Sequence, residues 1–405
     1  MRLGFADTGG HYQIFYGILC LNIPNLLVHF MKFWLGVALL SSLLGAASCA
    51  NNDKSKANPD LIQRTLLKSS LPTQPDRPVA SAQPFIGDGV ITFSFNAFGD
   101  AGWANSHVSK PPYQQGFKTA YQRFDPQKRL IADLNYINWE TSVGNVCNSF
   151  WSPPSNSTYA FLTRPEELAD AVDIGFNIVG LANNHSYDCL KSPEGNGPLQ
   201  SYSHIAKLKQ NLLSRNAAAL FSGVFLLPDS ESPALVMPIR NKQVPTRLLS
   251  AFVGGDEAHC RHMVCDKSIE RYAASMASYR GLRILALHSW DPSSHQKLKV
   301  ILRSWLSRGL VDVAIGTGPH VAEDVNVIKT PRGYGILATS LGNFIHPSLA
   351  SQPNNVVLQT TWSFDKIRQR LRLDTAKTTK VSCDGEVCRQ GLTRIYVVPT
   401  SNAPL

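Results

Sequence analysis

The sequence predicts an α/β sandwich. From residue 90 onward, short β-branched or apolar runs alternate with amphipathic helical patterns, and polar side chains follow the ends of successive apolar runs. Alternation of this kind is typical of α/β domains and not of all-β proteins or helical bundles. The chain has 405 residues, 43% of them hydrophobic and 17% charged, so it is long enough to bury a full core.

The predicted elements follow in chain order. Residues 90–98 alternate and are rich in β-branched and aromatic side chains, which predicts the first strand. Further strands are predicted at 136–140, 177–182, near 220, and at 283–288, 311–315 and 334–338, and the tail from 356 reads mainly as strands. Helices are predicted at 119–134, 165–174, 201–216 and 294–308. The last helix has an apolar stripe that places Trp305 in the core.

The N-terminal region predicts export. Residues 31–49 combine one positive charge, an apolar stretch and small residues before Cys49, which is a secretory signal layout. The run resembles a bacterial lipoprotein signal with Cys49 as the lipidated residue, and it equally suits an ordinary signal peptidase. We expect a signal region at 1–49, with Met31 as a candidate start. Lipidation would anchor the protein to a membrane, facing the periplasm or the cell exterior.

The composition changes after the signal region and again at the first predicted strand. Residues 50–88 are rich in Pro, Ser and Lys and predict a disordered tether. Residues 89–405 then form the predicted folded domain, with a β-rich C-terminal part. The net charge of +10 allows contact with anionic lipids or polymers. No nucleic-acid-binding module is legible, so we expect no nucleic-acid partner.

Polar side chains follow five of the predicted strands. In chain order they are Asp100; Glu140; Asn184, His185 and Asp188; His288; and His320. Each of these residue types also serves as an ordinary cap or turn group. Their recurrence at strand ends, where open α/β sheets bind ligands, favours a common site. Carboxylate, amide and imidazole groups together suit a pair of divalent ions that bind a phosphate oxygen and activate water.

Six cysteines follow the signal region, an even number that favours disulfides in an exported chain. Two pairs have four residues between them: Cys260 with Cys265, and Cys383 with Cys388. The Asp384-Gly385 turn predicts a hairpin bridge for the second pair. A structural zinc is the alternative, but it needs further thiol or imidazole ligands. We expect Cys147 to pair with Cys189, because each follows a polar block and the two loops should converge.

Six blocks of the chain carry a family resemblance. They are Gly-Asp at 99–100, Asn-Trp-Glu at 138–140, Leu-Ala-Asn-Asn-His-Ser-Tyr-Asp at 181–188, His-Ser-Trp at 288–290, Gly-Thr-Gly-Pro-His-Val at 316–321 and Ser-Leu-Gly-Asn-Phe at 340–344. Their order and spacing resemble the bacterial capsule biosynthesis protein CapA family. That family is linked to poly-γ-glutamate capsule production and is related in fold to calcineurin-like metallophosphoesterases. The resemblance implies a four-layer α/β sandwich of the metallophosphoesterase type.

The resemblance also implies roles for the site residues. Divalent ions, with manganese, zinc or iron as candidates, would be held by Asp100, Glu140, Asn184, His288 and His320. His185, followed by Asp188, would supply the catalytic acid. The family usually has Gly-x-His-Pro-His where this chain has Gly-Thr-Gly-Pro-His, so Gly318 replaces an imidazole. We expect Gly318 to leave a gap on one side of the site, which Gly318→His would fill.

Three functions are compatible with this sequence. The first is an exported, CapA-like, metal-dependent phosphoesterase-like hydrolase of capsule or exopolymer biosynthesis, acting on an envelope polymer, its precursor or a phosphoester. The second is a non-catalytic polymer-binding or capsule-assembly lipoprotein with a degraded metal site. Either could work with capsule synthesis machinery. The third, a serine or cysteine hydrolase, lacks a Gly-x-Ser-x-Gly elbow, and its cysteines are better explained as pairs.

Overall fold

The computed structural model describes residues 89–103, 116–152, 159–227, 234–239, 242–346, 352–384 and 387–399. The predicted signal region with Cys49 and the predicted tether lie outside the described residues. The described residues all belong to one compact unit, Arg77–Leu405. In these described ranges, no helix is both long enough and apolar enough to cross a membrane.

The described residues form short helices and two large sheets. The strands are β1 (Val90–Ala101), β2 (Leu134–Trp139), β3 (Ser142–Val143), β4 (Ser149–Phe150), β5 (Leu162–Thr163), β6 (Ile178–Gly180), β7 (Cys189–Lys191), β8 (Leu220–Ser222), β9 (Ala234–Ile239), β10 (Lys242–Val253), β11 (Leu282–Ser289), β12 (Val313–Thr317), β13 (Val325–Thr330), β14 (Gly333–Ala338), β15 (Gln352–Asp365), β16 (Arg370–Asp384) and β17 (Val387–Tyr396). The helices are α1 (Phe117–Phe124), α2 (Pro165–Ile174), α3 (Gly197–Ser214), α4 (Ala273–Ser278) and α5 (Pro292–Ser307).

The two large sheets are both mixed. The first has the strand order β17-β16-β15-β1-β2-β6-β8, and the second has the order β13-β14-β12-β11-β10-β9. Strands β1, β2, β6 and β8 run parallel, as do β10, β11, β12 and β14. Antiparallel strands β15, β16 and β17 complete the first sheet on one side, and antiparallel β9 and β13 form the two edges of the second. Each sheet therefore has a block of parallel strands whose carboxyl ends lie at the same end of the sheet.

The packing makes a sandwich of four layers. Along β11, Ile284 faces a cluster between the two sheets, whereas its neighbour Leu285 faces α5 and Trp305. In the first sheet, Phe95 contributes to the same inter-sheet cluster. The opposite face of that sheet packs on α1, α2 and α3, with Tyr121 in this outer cluster. This alternation confirms the predicted four-layer α/β sandwich and the predicted core position of Trp305.

The helix predicted at 119–134 is shorter than expected. It ends at Phe124, because Pro126 cannot donate the backbone hydrogen bond that would continue it. The Asp125 carboxylate then accepts hydrogen bonds from the backbone N–H groups of Arg129 and Leu130, at 2.9 and 2.7 Å. These bonds fold the following segment into turns that lead into β2.

The structure contains all three disulfides expected from the sequence. Cys260–Cys265 and Cys383–Cys388 each close a short loop with a sequence separation of 5. Cys147–Cys189 spans 42 residues and ties the chain after β3 to β7. Strands β4 and β7 pair beside this bridge. The long bridge thus holds together the two loops that follow Glu140 and Asp188.

Candidate metal centre

The predicted site residues converge where the carboxyl ends of the two parallel blocks meet. Asp100 ends β1 of the first sheet and His288 lies near the end of β11 in the second. The Asp100 Oδ1 atom is 3.3 Å from His288 Nδ1, so the two sheets contribute to one polar cluster. Both side chains are almost completely buried. Strand ends of parallel sheets are where α/β proteins form such clusters.

The Glu140 carboxylate lies among three imidazoles. Its Oε1 atom is 3.4 Å from His288 Nε2 and 3.9 Å from His185 Nε2, and its Oε2 atom is 3.0 Å from His346 Nε2. Glu140 is fully buried, and neither oxygen accepts a hydrogen bond from the described residues. Burial raises the pKa of Glu140, but His288, His346 and His320 outweigh it and hold the pKa well below its usual range. Glu140 is therefore an ionised buried carboxylate.

The Asp100 carboxylate is held in place from both sheets. Its Oδ1 atom accepts a hydrogen bond of 2.7 Å from the Asn138 side-chain amide. Its Oδ2 atom accepts a hydrogen bond of 2.8 Å from the backbone N–H of Gly318 and lies 3.7 Å from His320 Nδ1. Charge-assisted bonds of this kind fix the orientation of a carboxylate. Asp100 is consequently preorganised to face the cluster.

His288 and Asn184 meet on the opposite side of Glu140. The His288 Nε2 atom is 2.7 Å from Asn184 Oδ1, and its Nδ1 atom is 3.0 Å from the Thr317 hydroxyl. Burial lowers the pKa of His288, but the carboxylates of Glu140 and Asp100 outweigh it and raise the pKa. The imidazole of His288 and the amide oxygen of Asn184 are therefore hydrogen-bonded to each other beside the buried Glu140 carboxylate.

His185 and Asp188 form a hydrogen-bonded pair at the rim of the cluster. The His185 Nδ1 atom is 2.7 Å from Asp188 Oδ2, which also accepts a hydrogen bond of 2.6 Å from the backbone N–H of Phe161. The Phe161 ring packs against His185 with centroids 4.5 Å apart. Burial lowers the pKa of His185, but Asp188 outweighs it and raises the pKa to about 9. His185 is thus held protonated at neutral pH with Nε2 directed towards Glu140.

Part of the cluster has the geometry of a metal centre. Asp100, Glu140 and His320 each offer one ligand atom, and these atoms lie within 4.8 Å of one another. The His320 Nδ1 atom is 2.8 Å from Asn343 Oδ1 and 3.7 Å from Asp100 Oδ2, so Asn343 fixes the orientation of the imidazole beside Asp100. Oxygen and imidazole donors suit manganese, iron and zinc. The buried carboxylate without a hydrogen bond is the feature that best fits a bound cation.

Gly318 does not leave the gap that we expected from the sequence. Its φ angle is +115°, and a Cβ atom added there would overlap the backbone carbonyl of Ser289. The backbone at this position is pressed against the neighbouring strand while its N–H binds Asp100. The expectation that Gly318→His would fill a vacancy is therefore wrong, since the position has no room for a side chain.

Some residues of the cluster were not assigned a role from the sequence. Asn138 orients Asp100, Asn343 orients His320, and His346 contacts Glu140. Asn138 and Asn343 lie inside the blocks at 138–140 and 340–344, but of these two blocks only Glu140 was predicted to be a ligand. His346 follows the block at 340–344 by two residues, and that proximity was the only signal for it.

Part of the chain matches a known family. Residues 94–193 match the model of the bacterial capsule synthesis protein PGA_cap family. The predicted resemblance to the CapA capsule synthesis family is confirmed. The matched segment contains Asp100, Glu140, Asn184, His185 and Asp188, whereas the imidazoles of the second sheet lie beyond it.

Other comparisons add little. A solved structure described as a novel phosphatase of Mycoplasma pneumoniae is similar to the chain, with 12% sequence identity and a TM-score of 0.41. The similarity covers 73% of this chain and 95% of that one. No curated protein gives a match. The assignment of the fold therefore rests on the sheets and helices described above.

Proposed function

We propose that the protein is an exported, CapA-like, metal-dependent hydrolase of the phosphoesterase type. The observation that carries this proposal is the ionised, buried Glu140 carboxylate, which faces imidazoles and accepts no hydrogen bond from the described residues. Such a group is costly unless a cation or a strong donor completes it. The proposed substrate is a cell-envelope polymer of the poly-γ-glutamate type, its precursor, or a phosphoester.

The proposed ion ligands come from both sheets: Asp100, Glu140, Asn184, His288 and His320. A divalent ion bound there would act as a Lewis acid on a phosphoryl oxygen and as a source of activated water. Asn138 and Asn343 keep the carboxylate and imidazole ligands aimed at the cluster. Residues in such supporting positions affect metal affinity nearly as much as the ligands do.

His185 is the proposed general acid. The Asp188 carboxylate holds its Nδ1–H at 2.7 Å, so Nε2 is the atom that can give a proton to a leaving oxygen. The Asp188 carboxylate raises the pKa of His185, which favours the protonated imidazole that a general acid needs. Asp188 is itself fixed by the Phe161 backbone N–H and positions the imidazole without touching substrate.

We place the protein at the cell envelope, anchored through Cys49. The signal-like run at 31–49 and the three disulfides support this location, because disulfides persist in oxidising compartments. Capsule synthesis machinery is the proposed partner, by analogy with the family. In the Cys49→Ala variant, secretion should continue and the protein should move from the membrane pellet to the soluble fraction. Retention in the pellet would contradict the anchor.

A non-catalytic polymer-binding protein is the second candidate. Exposed basic residues recur along β16 and β17: Arg370, Lys377, Lys380, Arg389 and Arg394. A basic surface of this kind could hold a polyanion such as poly-γ-glutamate. This function would need no hydrolysis and no bound ion.

Metal content and hydrolysis by the full-chain protein separate the two candidates. The purified protein should bind manganese, zinc or iron and hydrolyse a simple phosphomonoester or phosphodiester. His185→Ala should keep the metal and lose about 10²- to 10⁴-fold in turnover, since it removes only the general acid. His204→Ala is a matched control, because His204 is also buried beside a carboxylate, Glu194, but lies on α3. A protein that binds no metal, or binds it and hydrolyses neither ester, would support polymer binding instead.

A further inference from the structure

We propose that His346 is a further ligand of the metal centre, joining Asp100, Glu140 and His320. This inference rests on the proposed function, since it assumes that the cluster binds a divalent ion. His346 lies outside the six sequence blocks and outside the segment that matches the family model.

The His346 imidazole is buried next to Glu140 and His320. The His346 side chain is 1% exposed, and its Nε2 atom is 3.0 Å from Glu140 Oε2. The other Glu140 oxygen, Oε1, faces His288 instead. The His346 ring also lies beside the ring of His320, with centroids 5.5 Å apart. Glu140 thus has one oxygen directed to each side of the cluster, and His346 lies on the side of His320.

The backbone before His346 forms a turn that is bonded to the end of β1. Ile345 has a φ of +47°, a left-handed backbone conformation that a β-branched residue rarely adopts. The carbonyl of Ile345 accepts a hydrogen bond from the backbone N–H of Gly102, and the Phe344 N–H donates to the carbonyl of Asp100 at 2.7 Å. These contacts hold the strained turn against the end of β1, and the turn directs His346 towards Glu140. Strain of this kind is concentrated at functional sites.

The donor atoms around the centre are of types that bind divalent metal ions. Asp100, Glu140 and His320 supply two oxygens and one nitrogen within 4.8 Å of one another. His346, whose Nε2 atom lies 3.0 Å from Glu140 Oε2, would add a second imidazole nitrogen to these donors, and manganese, iron and zinc all accept imidazole ligands. The Phe161 ring packs against His346 at right angles, with centroids 5.7 Å apart, and limits rotation of the imidazole. The side chain is therefore fixed in the orientation that a ligand needs.

The His346→Gln variant tests this proposal. Glutamine is a neutral polar side chain of similar size to histidine but is a poor ligand for zinc or manganese. We expect the dissociation constant for Zn²⁺, measured by calorimetry on the full-chain protein, to rise at least about tenfold. In chelator, the melting temperature of the variant should stay close to that of the unmutated protein. The matched control is His204→Gln on α3, which should leave zinc affinity unchanged.

The outcomes distinguish this inference from the proposed function. If the unmutated protein binds no manganese, zinc or iron, both fail. If it binds metal and hydrolyses phosphoesters while His346→Gln binds zinc as tightly, only the assignment of His346 is wrong. That second result would mean that His346 only packs against the rings of Phe161 and His320.

A measurement on the unmutated protein covers the case in which His346→Gln does not fold. Crystals of the full chain soaked in Zn²⁺ should show an anomalous peak at about 2.0–2.1 Å from His346 Nε2. A zinc peak bonded to Asp100, Glu140 and His320 but not to His346 would overturn the proposal.

Discussion

At the scale of single residues, Gly318 shows how a departure from a family motif can be misread. Its position next to Pro319 and His320 suggested a lost imidazole. The structure instead makes it a backbone position, with a positive φ and an N–H bound to Asp100. Because the neighbouring carbonyl of Ser289 occupies the space of a Cβ, no side chain could have been added here without moving a strand.

Gly318→Ala should therefore destabilise the protein by at least about 2 kcal/mol, from strain and overlap together. Gly318→His should lose folded protein and should not gain metal. The matched control is Gly333→Ala, because Gly333 has a φ of +123° but open space around a Cβ. It should cost only the strain, about 1 kcal/mol. Urea unfolding in chelator measures both, and equal losses would mean that overlap with Ser289 contributes nothing.

The histidines of the site differ in how far the sequence could predict them. His288 and His320 follow recognisable apolar strands, so their position at the edge of a parallel sheet could be expected. His346 follows no strand, and its direction depends on the left-handed backbone of Ile345. Glycine or asparagine usually signals a left-handed backbone, and isoleucine does not. The sequence therefore did not predict the direction of the His346 side chain.

At the scale of elements, α5 shows how a helix is fastened beside the site. It begins after Asp291, whose carboxylate accepts hydrogen bonds from the N–H groups of Ser293 and Ser294. Its side chains His295 and Lys299 both reach the Glu323 carboxylate, with Nε2 and Nζ at 3.0 and 2.8 Å. Glu323 follows β12 and thereby links the helix to the segment that carries His320.

Glu323 should make the free energy of unfolding depend on pH in the acid range. Partial burial raises its pKa, but hydrogen bonds from Lys299 and His295 outweigh this and lower the pKa. A lowered pKa contributes stability that is present above the unfolded value of about 4.5 and is lost as the pH falls through the folded value. Because Glu323 is partly exposed, we expect about 1 kcal/mol or less.

Glu323→Gln should therefore be less stable than the unmutated protein at pH 6, and the difference should shrink as the pH falls towards 3. Urea unfolding in chelator at several pH values measures this difference. Glu257→Gln, at an exposed position, is the control and should show no such trend. A difference that stays constant with pH would argue against the ion pair with Lys299.

The hairpin of β9 and β10 and the helix α2 differ in how well the sequence predicts them. The hairpin of β9 and β10 was not predicted, because Pro238 and Pro245 argue against strands. The structure places β9 at the edge of its sheet, and Pro245 precedes the residues of β10 that pair with β11. Both prolines are tolerated for that reason. In contrast, the helix predicted at 165–174 was confirmed as α2, since Pro165 opens it and Gly175 ends it.

At the scale of the whole molecule, the disulfides differ in the length of chain that they close. Cys147–Cys189 closes 42 residues that include His185 and Asp188, whereas Cys383–Cys388 closes 5 at a hairpin tip. In the chain-entropy account, longer loops gain more stability from closure. The long bridge should therefore matter more for folding than the short one.

Replacement of both Cys147 and Cys189 by serine should cost about 2–5 kcal/mol of unfolding free energy. The matched double variant at Cys383 and Cys388 should cost less. Guanidinium unfolding of both variants in chelator compares them directly. Equal costs would mean that strain or solvation, and not loop length, decides the contribution of each bridge.

The ligands of the proposed metal centre come from both sheets, with Asp100 on one and His288 on the other. An ion held between them would be a crosslink across the middle of the sandwich. The sheets could not part until the ion had left, so its departure would set the pace of unfolding. The lifetime of the folded protein would then depend on the supply of metal: ample metal would prolong it, and metal starvation would shorten it.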